Sequence, residues 1–231
     1  MESKIFPPAD QILLKALREA DIIKIGELTR LKDGSNSPVY IDMRDKLTDL
    51  HPEFLFHIGN KFFEKIWEIT RQTGMKQCLI GVPYTGYVLA CATVMAAQRS
   101  IFGHIQAPQP LLPSLIIQRR DVKGHGTVQE RYMVGEPRTD REYNLLDDTI
   151  TTNKSKLESL EPAEKELFKI KRIIVFIDRQ QGGGESLQKM GYEFHSVFKV
   201  LEVAEFFLAD GIITREQYND VVEFIQTHQF T

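Results

Sequence analysis

Two adjacent carboxylates, Asp147 and Asp148, stand between apolar residues and a turn rich in hydroxyl groups, in the stretch LLDDTITTNKS at 145–155. Carboxylates in this position can bind a ligand that carries hydroxyls or a metal, and the N–H groups and hydroxyls of such a turn can bind an anion. An Asp-Asp pair at the end of a strand is more often simple turn and helix-cap chemistry. The stretch alone therefore leaves two interpretations open.

Two further polar segments follow apolar runs that read as strands. SLIIQ precedes RRDVKGHG at 119–126, a cationic loop that contains glycine, and RIIVFI precedes DRQQGGG at 178–184. Each has a plainer interpretation, a solvated loop for the first and a turn for the second. Because ligands bind beyond the carboxyl ends of strands in open α/β sheets, one pocket could collect all three segments. Together they indicate a ligand with anionic groups at one end and hydroxyls with a metal at the other.

The elements that must position these segments alternate between helical and extended patterns. Helices are predicted from an Asp10 cap to about Ala20, from Pro52 to about Gly74, over the mostly buried GYVLACATVMAAQ at 86–98, and after a capping box of Thr214 and Gln217. Extended segments are predicted at 22–31, 37–43, 78–83, 114–118, 143–148 and 172–178. Since several of these runs are apolar on both faces, we expect an α/β fold with a parallel sheet covered by helices on both sides.

Composition narrows the classes of function. The chain has 231 residues, 42% of them hydrophobic, which suits a single α/β domain spanning 1–231. A formal net charge of −3 gives no large basic field, so we expect no sequence-independent binding of nucleic acid. The first twenty residues mix charged and short apolar runs, which predicts neither a signal peptide nor a membrane span and favours the cytoplasm.

The residues that most often hold metals or form crosslinks show no such pattern. Cys78 and Cys91 stand in apolar company and are predicted to be reduced core residues. The six histidines show no close ligand spacing typical of zinc.

The stretch LLDDTITTNKS resembles the phosphoribosyl-pyrophosphate motif of the type I phosphoribosyltransferases. Four more segments are similar to the successive signatures of orotate phosphoribosyltransferase: LKDGSNSPVYIDMR at 31–44, GVPYTG at 81–86, RRDVKGHG at 119–126 and IDRQQGG at 177–183. The likeness is strongest to the form that is fused to a decarboxylase in animal UMP synthase, and it runs in one order from about residue 11 to 228. Five ordered motifs are far more specific than any one of them.

The resemblance implies both an architecture and a reaction. The fold would be that of a type I phosphoribosyltransferase, a central mostly parallel sheet flanked by helices, with a small hood at approximately 1–45. The reaction would convert orotate and phosphoribosyl pyrophosphate to orotidine 5′-monophosphate and pyrophosphate with Mg²⁺, in pyrimidine biosynthesis. A homodimer is also implied, in which each subunit's catalytic loop reaches its neighbour's site, and a separate orotidine monophosphate decarboxylase is a candidate partner.

The resemblance also gives roles to individual residues. It implies that Lys123, Asp147 and Asp148 are catalytic, and that no protein side chain ligates the metal directly because Mg²⁺ is bound mainly through phosphoribosyl pyrophosphate. The residues implied to bind phosphoribosyl pyrophosphate are Lys32, Tyr84, Thr85, Arg119, Arg120, Lys123, His125, Asp147, Asp148, Thr149, Ile150, Thr151, Thr152, Asn153, Lys154 and Ser155. Those implied to bind orotate are Tyr40, Ile41, Thr151 and Arg179.

The sequence departs from the family pattern at three places, one of which, EPRTDREYN at 136–144, only lacks the usual Pro-Gly turn before the acid strand and is interpreted as surface variation. Asn153 and Lys154 replace glycine and another small residue in the phosphate turn, and a longer segment around 99–113 precedes the SLIIQ strand. Asparagine tolerates a left-handed backbone better than most residues, while its side chain could also crowd the turn.

Two alternative functions stay open. A catalytically weak homologue could bind phosphoribosyl pyrophosphate or a nucleotide as a regulator, which Asn153 and Lys154 favour slightly. A salvage transferase for another base is opposed by Arg179, because a purine has no carboxylate with which an arginine could pair.

Overall fold

The computed structural model describes residues 5–30, 36–101, 111–119 and 131–230. Within these ranges the strands form a two-stranded antiparallel sheet and a six-stranded sheet. The smaller sheet comprises β1 (Ile23–Arg30) and β2 (Asn36–Ile41). The larger sheet comprises β3 (Lys76–Gly81), β4 (Ser114–Gln118), β5 (Met133–Val134), β6 (Arg141–Ile150), β7 (Ile170–Asp178) and β8 (Glu193–Lys199).

The larger sheet has the strand order β5-β4-β3-β6-β7-β8. Its pairs are parallel except for β5, a short edge strand that runs antiparallel to β4. The central strands are buried on both faces; in β7 only Lys171 is exposed. The predicted mostly parallel sheet is therefore confirmed, and the apolar runs of β3, β6 and β7 reflect cover on both sides.

Helices precede, connect and follow the strands. They are α1 (Pro8–Glu19), α2 (Glu53–Thr73), α3 (Thr85–Ile101), α4 (Lys154–Lys165), α5 (Gly183–Lys189), α6 (Val200–Ala209) and α7 (Arg215–Thr227), with a π-helical turn at Lys46–Leu50. The capping box at the start of α7 is confirmed, because Gln217 N donates to Thr214 Oγ1 at 3.2 Å and Thr214 N donates to Gln217 Oε1 at 2.8 Å.

The predicted Asp10 cap of α1 is wrong. The helix begins earlier, with Pro7 as its N-cap and Pro8 as its first residue. Proline suits a first helical position because its φ is already helical and its missing N–H would have no partner there. Asp10 lies inside the first turn, where its carboxylate pairs with Lys61 Nζ at 2.8 Å.

Helix α3 is less buried than its apolar sequence predicts. Cys78 on β3 is buried as expected, but Cys91 on α3 is exposed and Met95, four residues later, is 71% exposed. Residues four apart share one face of a helix, so Cys91 and Met95 belong to an outward face. The opposite prediction failed because the run is apolar on every face and gives no periodic signal.

One hydrophobic core joins the two sheets. Ile23, Ile25 and Val39 of the smaller sheet belong to the same buried cluster as Phe176 and Phe198 of the larger one. Arg179, directly after β7, donates through Nη2 to the carbonyl of Val39 at 3.3 Å. The smaller sheet therefore lies at the carboxyl end of β7.

Candidate active site

Asp147 and Asp148 lie at the carboxyl end of β6. Its neighbour β3 ends at Gly81, opposite Leu146, so the acid pair lies just beyond the end of β3. A Cβ on Gly86 would lie 2.4 Å from the carbonyl oxygen of Leu146, so glycine lets the start of α3 pack directly against β6. This close approach places the turn between β3 and α3 beside the two acids.

Asp147 is paired with Lys156, a residue that the sequence interpretation missed. Lys156 Nζ lies 2.7 Å from Asp147 Oδ2, and the two side chains are only 4% and 8% exposed. Lys156 is the third residue of α4, where a lysine ordinarily reads as part of a solvated helix face. No pattern in the sequence distinguishes this buried lysine from an exposed one.

Asp148 is half-buried and has a raised pKa. Burial, followed by the adjacent Asp147 carboxylate, raises the pKa of Asp148 to about 7, while Lys156 acts in the opposite direction. Two neighbouring carboxylates disfavour each other's charged form, as burial does. Thr149 N donates to Asp148 Oδ1 at 2.6 Å and partly offsets this effect.

Two adjoining cavities open at this end of the sheet. The first, which we call the acid cavity, has a volume of about 260 Å³ and is lined by Arg44, Val82, Pro83, Thr85, Asp147, Asp148, Thr149, Thr151, Thr152, Ser155 and Lys156. The second, which we call the arginine cavity, measures about 450 Å³ and is lined by Arg44, Val82, Pro83, Tyr84, Gln118, Arg119, Ser155, Glu158, Ser159 and Pro162. The two cavities share Arg44, Val82, Pro83 and Ser155 and are therefore adjacent. Arg44, which lines both, was missed as a site residue although it closes the motif at 31–44.

The phosphate turn has ordinary backbone geometry at Asn153. Its φ of −85° and ψ of −3° require no glycine, so the left-handed conformation considered from the sequence is not adopted. Asn153 Nδ2 donates to Ser186 Oγ on α5 at 2.8 Å. Asn153 and Lys154 line a neighbouring groove with Met190, outside the acid cavity.

The remaining turn residues do line the acid cavity. Thr151, Thr152 and Ser155 bring hydroxyl groups to it, next to the start of α4. A helix start supplies free N–H groups and a positive dipole end, which favour an anion. The turn and the acid pair thus offer an anion site and a polyol site side by side.

Arg179 links this region to the smaller sheet. Its main-chain N–H donates to the carbonyl of Ile150, at the end of β6, at 3.2 Å. Its Nε is buried and has no hydrogen-bond partner among the described residues, and burial lowers the pKa of its guanidinium. A buried guanidinium with an unused donor suits a planar carboxylate. Tyr40 and Ile41 follow Val39 on β2, whose carbonyl accepts the hydrogen bond from Arg179, and both are half-buried.

The loop that follows Arg179 is held by the end of the described chain. Phe230 N donates to Gln181 O at 2.8 Å, Gln181 Nε2 donates to His228 O at 3.0 Å, and Gln229 Nε2 donates to Gln180 O at 2.9 Å. These contacts span about fifty residues of sequence, and no local pattern signals them. They fix the path of the chain directly beyond Arg179.

The other predicted site residues divide between the cavities and the undescribed segments. Thr85 lines the acid cavity, and its buried Oγ1 has no hydrogen-bond partner among the described residues. Tyr84, which is 54% exposed, and Arg119 line the arginine cavity. The predicted residues Lys32, Arg120, Lys123 and His125, and most of the segment at 99–113, lie outside the described residues.

A larger cavity among the described residues lies at the opposite end of the sheet. It measures about 850 Å³ and is lined by residues near the amino ends of β6 and β7, including Glu142 and Glu193. Both carboxylates are already paired, Glu142 with Lys171 at 2.7 Å and with Arg172 at 2.6 Å, and Glu193 with Arg172 at 2.6 Å. These two carboxylates are therefore already engaged within the protein.

Two classes of feature are absent from the part of the chain that the structure describes. No group of three or more His, Cys, Asp or Glu side chains there is placed to hold a metal ion. None of the helices found there is long and apolar enough to cross a membrane.

The chain is similar to curated proteins of two kinds, although no family model matches it. It is 28% identical over 211 residues to uridine 5′-monophosphate synthase of Caenorhabditis elegans and 29% identical over 220 residues to that of Bos taurus, covering 91% and 94% of this chain. It spans only 38% and 41% of those two relatives. It is also 29% identical over 188 residues to orotate phosphoribosyltransferase of Chlamydia caviae, with 81% of this chain and 80% of that relative covered.

Solved structures show the same fold. UMP synthase of Leishmania donovani matches with a TM-score of 0.67 and 24% identity, over 95% of this chain and 42% of that one. Orotate phosphoribosyltransferase of Francisella tularensis matches with a TM-score of 0.69 and 16% identity, over 95% and 100% of the two chains. The Mycobacterium tuberculosis enzyme in complex with 5-phospho-α-D-ribosyl 1-diphosphate matches with a TM-score of 0.58 and 18% identity, over 85% and 99%. The fold is thus that of the type I phosphoribosyltransferases.

Proposed function

We propose that this chain, which has the type I phosphoribosyltransferase fold and homologues named orotate phosphoribosyltransferase, is itself an orotate phosphoribosyltransferase of pyrimidine biosynthesis. It converts orotate and phosphoribosyl pyrophosphate to orotidine 5′-monophosphate and pyrophosphate. The observation that carries the proposal is the junction of β6 and β7, where the 3.2 Å bond from Arg179 N to Ile150 O joins a carboxylate-binding arginine to the acid pair and the phosphate turn. Base, sugar and phosphate sites then form one continuous surface.

The acid pair and the phosphate turn bind the activated sugar. Displacement of pyrophosphate builds positive charge on the ribose and negative charge on the leaving group, so catalysis depends on positioning and electrostatic stabilisation. Asp147 and Asp148 face the ribose, and their charge favours a cationic sugar. Thr151, Thr152 and Ser155 bind the 5′-phosphate at the start of α4.

The leaving group occupies the arginine cavity. Arg44 and Arg119 line it and supply positive charge there, with Tyr84 at its rim. Lys123 is proposed to close over the pyrophosphate as the catalytic cation, with Arg120 and His125 beside it. This role rests on the family motif at 119–126.

Arg179 selects the base. Its free Nε and buried guanidinium pair with the carboxylate of orotate, while Tyr40 and Ile41 on β2 cover the ring. A purine offers no carboxylate and would leave the buried donor unpaired, which is costly. This arrangement opposes a salvage role for a different base.

Mg²⁺ fits this site as part of the substrate complex. The acid cavity offers only two carboxylates among the described residues, and one is already paired with Lys156. Mg²⁺ prefers octahedral oxygen ligands and usually keeps waters while bridging substrate phosphates. We therefore propose that phosphoribosyl pyrophosphate supplies most of its ligands, where the metal neutralises charge on the leaving group.

The wider organisation follows from the family likeness and remains part of the proposal. The chain acts as one domain with residues 1–45 as the hood, in a cytoplasmic homodimer whose loops at 119–126 are shared between subunits. A separate orotidine monophosphate decarboxylase consumes its product.

A second function is favoured by the pairing of Asp147 with Lys156. A carboxylate neutralised by a buried lysine stabilises a cationic sugar less than a free one, which suits a weakly catalytic regulator that binds phosphoribosyl pyrophosphate or a nucleotide. Asn153 no longer supports this alternative, since its backbone conformation is ordinary.

One assay separates the two functions. The purified chain is mixed with orotate, phosphoribosyl pyrophosphate and Mg²⁺, the loss of orotate absorbance is followed, and a parallel sample omits the metal. Metal-dependent turnover is expected. Binding of phosphoribosyl pyrophosphate by calorimetry without turnover of orotate would instead favour the regulator.

A further inference from the structure

Lys156 has every donor of its ammonium group engaged by the protein. A lysine ammonium carries three N–H donors. In this structure they meet Asp147 Oδ2 at 2.7 Å, the carbonyl oxygen of Thr149, and Ser155 Oγ at 3.3 Å. With its side chain 4% exposed, Lys156 has no donor left for a ligand. It therefore does not bind substrate as a cation.

The three acceptors of Lys156 belong to two different parts of the site. Asp147 and Thr149 lie on either side of Asp148 on β6, whereas Ser155 lies at the start of α4. The lysine thus ties the strand that carries the acids to the turn that faces the anion. Burying an ion pair seldom improves stability over an apolar pair of similar size, so fold stability alone gives little reason for a lysine here.

The two carboxylates of the acid pair differ in how many of their oxygens accept from N–H donors. N–H donors reach both oxygens of Asp147, because Asp148 N donates to Oδ1 at 2.9 Å and Lys156 donates to Oδ2. Among the described residues, N–H donors reach only Oδ1 of Asp148, from Thr149. Asp148 Oδ2, which no N–H donor among the described residues reaches, is the oxygen of the pair with the most capacity left for a sugar hydroxyl.

We propose that Lys156 is a positioning residue for phosphoribosyl pyrophosphate: it holds Asp147 as a fixed counter-ion and leaves Asp148 as the carboxylate that accepts the ribose hydroxyls. This inference rests on the proposed function, since it names how the sugar site is built. Lys156 also favours the charged form of Asp148. The other ionisable groups that line the acid cavity are Asp147 and Arg44.

The test compares Lys156→Met, Lys156→Arg and the neutral pair Asp147→Asn/Lys156→Met with the wild type. The Kd of Mg²⁺-phosphoribosyl pyrophosphate is measured by calorimetry from pH 6 to 8.5, together with KM for orotate. Lys156→Met is expected to raise that Kd by about tenfold, with a smaller change in KM for orotate. In a plot of affinity against pH, the low-pH side, which we call the acid limb, should also shift to higher pH by about half a unit or more. The shift is expected because a positive charge beside Asp148 is lost.

The other variants make the result specific. Lys156→Arg keeps the charge and should leave the acid limb in place. The neutral pair removes a repelling carboxylate together with the lysine, so its acid limb should return toward that of the wild type. Lys165→Met, on the exposed side of the same helix, should change neither quantity. If Lys156→Met does not fold, the neutral pair and Lys156→Arg still carry the comparison.

Two outcomes would count against this inference, and they are distinct. If Lys156→Met binds within about twofold of the wild type with an unchanged acid limb, Lys156 is only structural. Where that variant does not fold, a neutral pair that binds phosphoribosyl pyrophosphate within about twofold of the wild type leads to the same conclusion, because it has lost the lysine that positions the site. If the wild type neither binds phosphoribosyl pyrophosphate nor consumes orotate, the proposed function is wrong, and this inference is wrong as well because it rests on that function.

Discussion

At the scale of single residues, the proposed sugar site depends on the protonation of Asp148. Its pKa is raised to about 7 by burial and by Asp147, so the carboxylate is the minor form at pH 6 and the major form at pH 8. We expect affinity for Mg²⁺-phosphoribosyl pyrophosphate to rise between these values. Calorimetry on wild type and Asp148→Asn tests this, because the substrate phosphates titrate equally in both; identical pH dependence in the two proteins would exclude Asp148 as the titrating group.

The same shift has the opposite consequence for stability. In the unfolded chain an aspartate has a pKa of about 3.9. In the folded chain the pKa of Asp148 is about 7. The folded state therefore binds the proton more tightly, and this stabilisation is present below the unfolded pKa and lost as pH rises through about 7. Asp148→Asn should have a higher melting temperature than the wild type at pH 8 and a smaller advantage at pH 5, where only part of this stabilisation has been lost. Thermal unfolding at the two pH values measures the difference, and an equal gain at both would point to packing instead.

Arg179 should control the affinity for the base with little effect on the sugar. Arg179→Lys keeps a positive charge but loses the planar fork that pairs with a carboxylate on two bonds. We expect KM for orotate to rise by about tenfold or more, with KM for phosphoribosyl pyrophosphate changed much less. Steady-state kinetics with each substrate varied in turn measures the two KM values separately. Equal increases in both constants would show that the substitution disturbs the whole site.

At the scale of elements, the end of the described chain holds the loop after β7, which follows the proposed base-binding residue Arg179. Three hydrogen bonds join His228, Gln229 and Phe230 to Gln180 and Gln181. A Cβ on Gly182 would lie 2.2 Å from Phe230 O, so the two backbones are in close contact.

Deleting residues 228–231 should loosen the loop that carries Arg179. We expect KM for orotate to rise by about threefold to tenfold, while the Kd of phosphoribosyl pyrophosphate stays near that of the wild type. Asn219→Ala, on the exposed face of α7, is the matched control. A deletion that leaves KM for orotate unchanged would show that the loop holds its shape without these bonds.

At the scale of the whole molecule, the two sheets share a core centred on Phe176. This side chain is fully buried, and its ring lies 5.3 Å from Phe198 and 5.9 Å from Phe62. Phe176→Ala should lower the free energy of unfolding by about 3–5 kcal/mol, through lost burial and the cavity left behind. Urea denaturation measures this. Phe230→Ala, whose side chain is 44% exposed, should cost much less, and equal losses would contradict the assignment of the core.

The sequence predicts the architecture better than it predicts the details of the site. Apolar runs on β6 and β7 require cover on both faces, and polar residues at their ends mark the pocket. Lys156 escapes prediction because burial of a lysine depends on a partner brought close by the fold. The predicted burial of Cys91 is wrong for the reverse reason. An apolar helix with no polar stripe does not reveal which face points outward.

The different environments of the two cysteines offer a route to optical measurements. Cys91 is exposed on α3, whereas Cys78 is buried in β3. A maleimide dye should therefore attach to the native chain at one position without mutagenesis. Since α3 begins at Thr85, on the wall of the acid cavity, a fluorophore on this helix would sit on an element that starts where substrate is proposed to bind. Its emission could then follow ligand binding in a stopped-flow instrument.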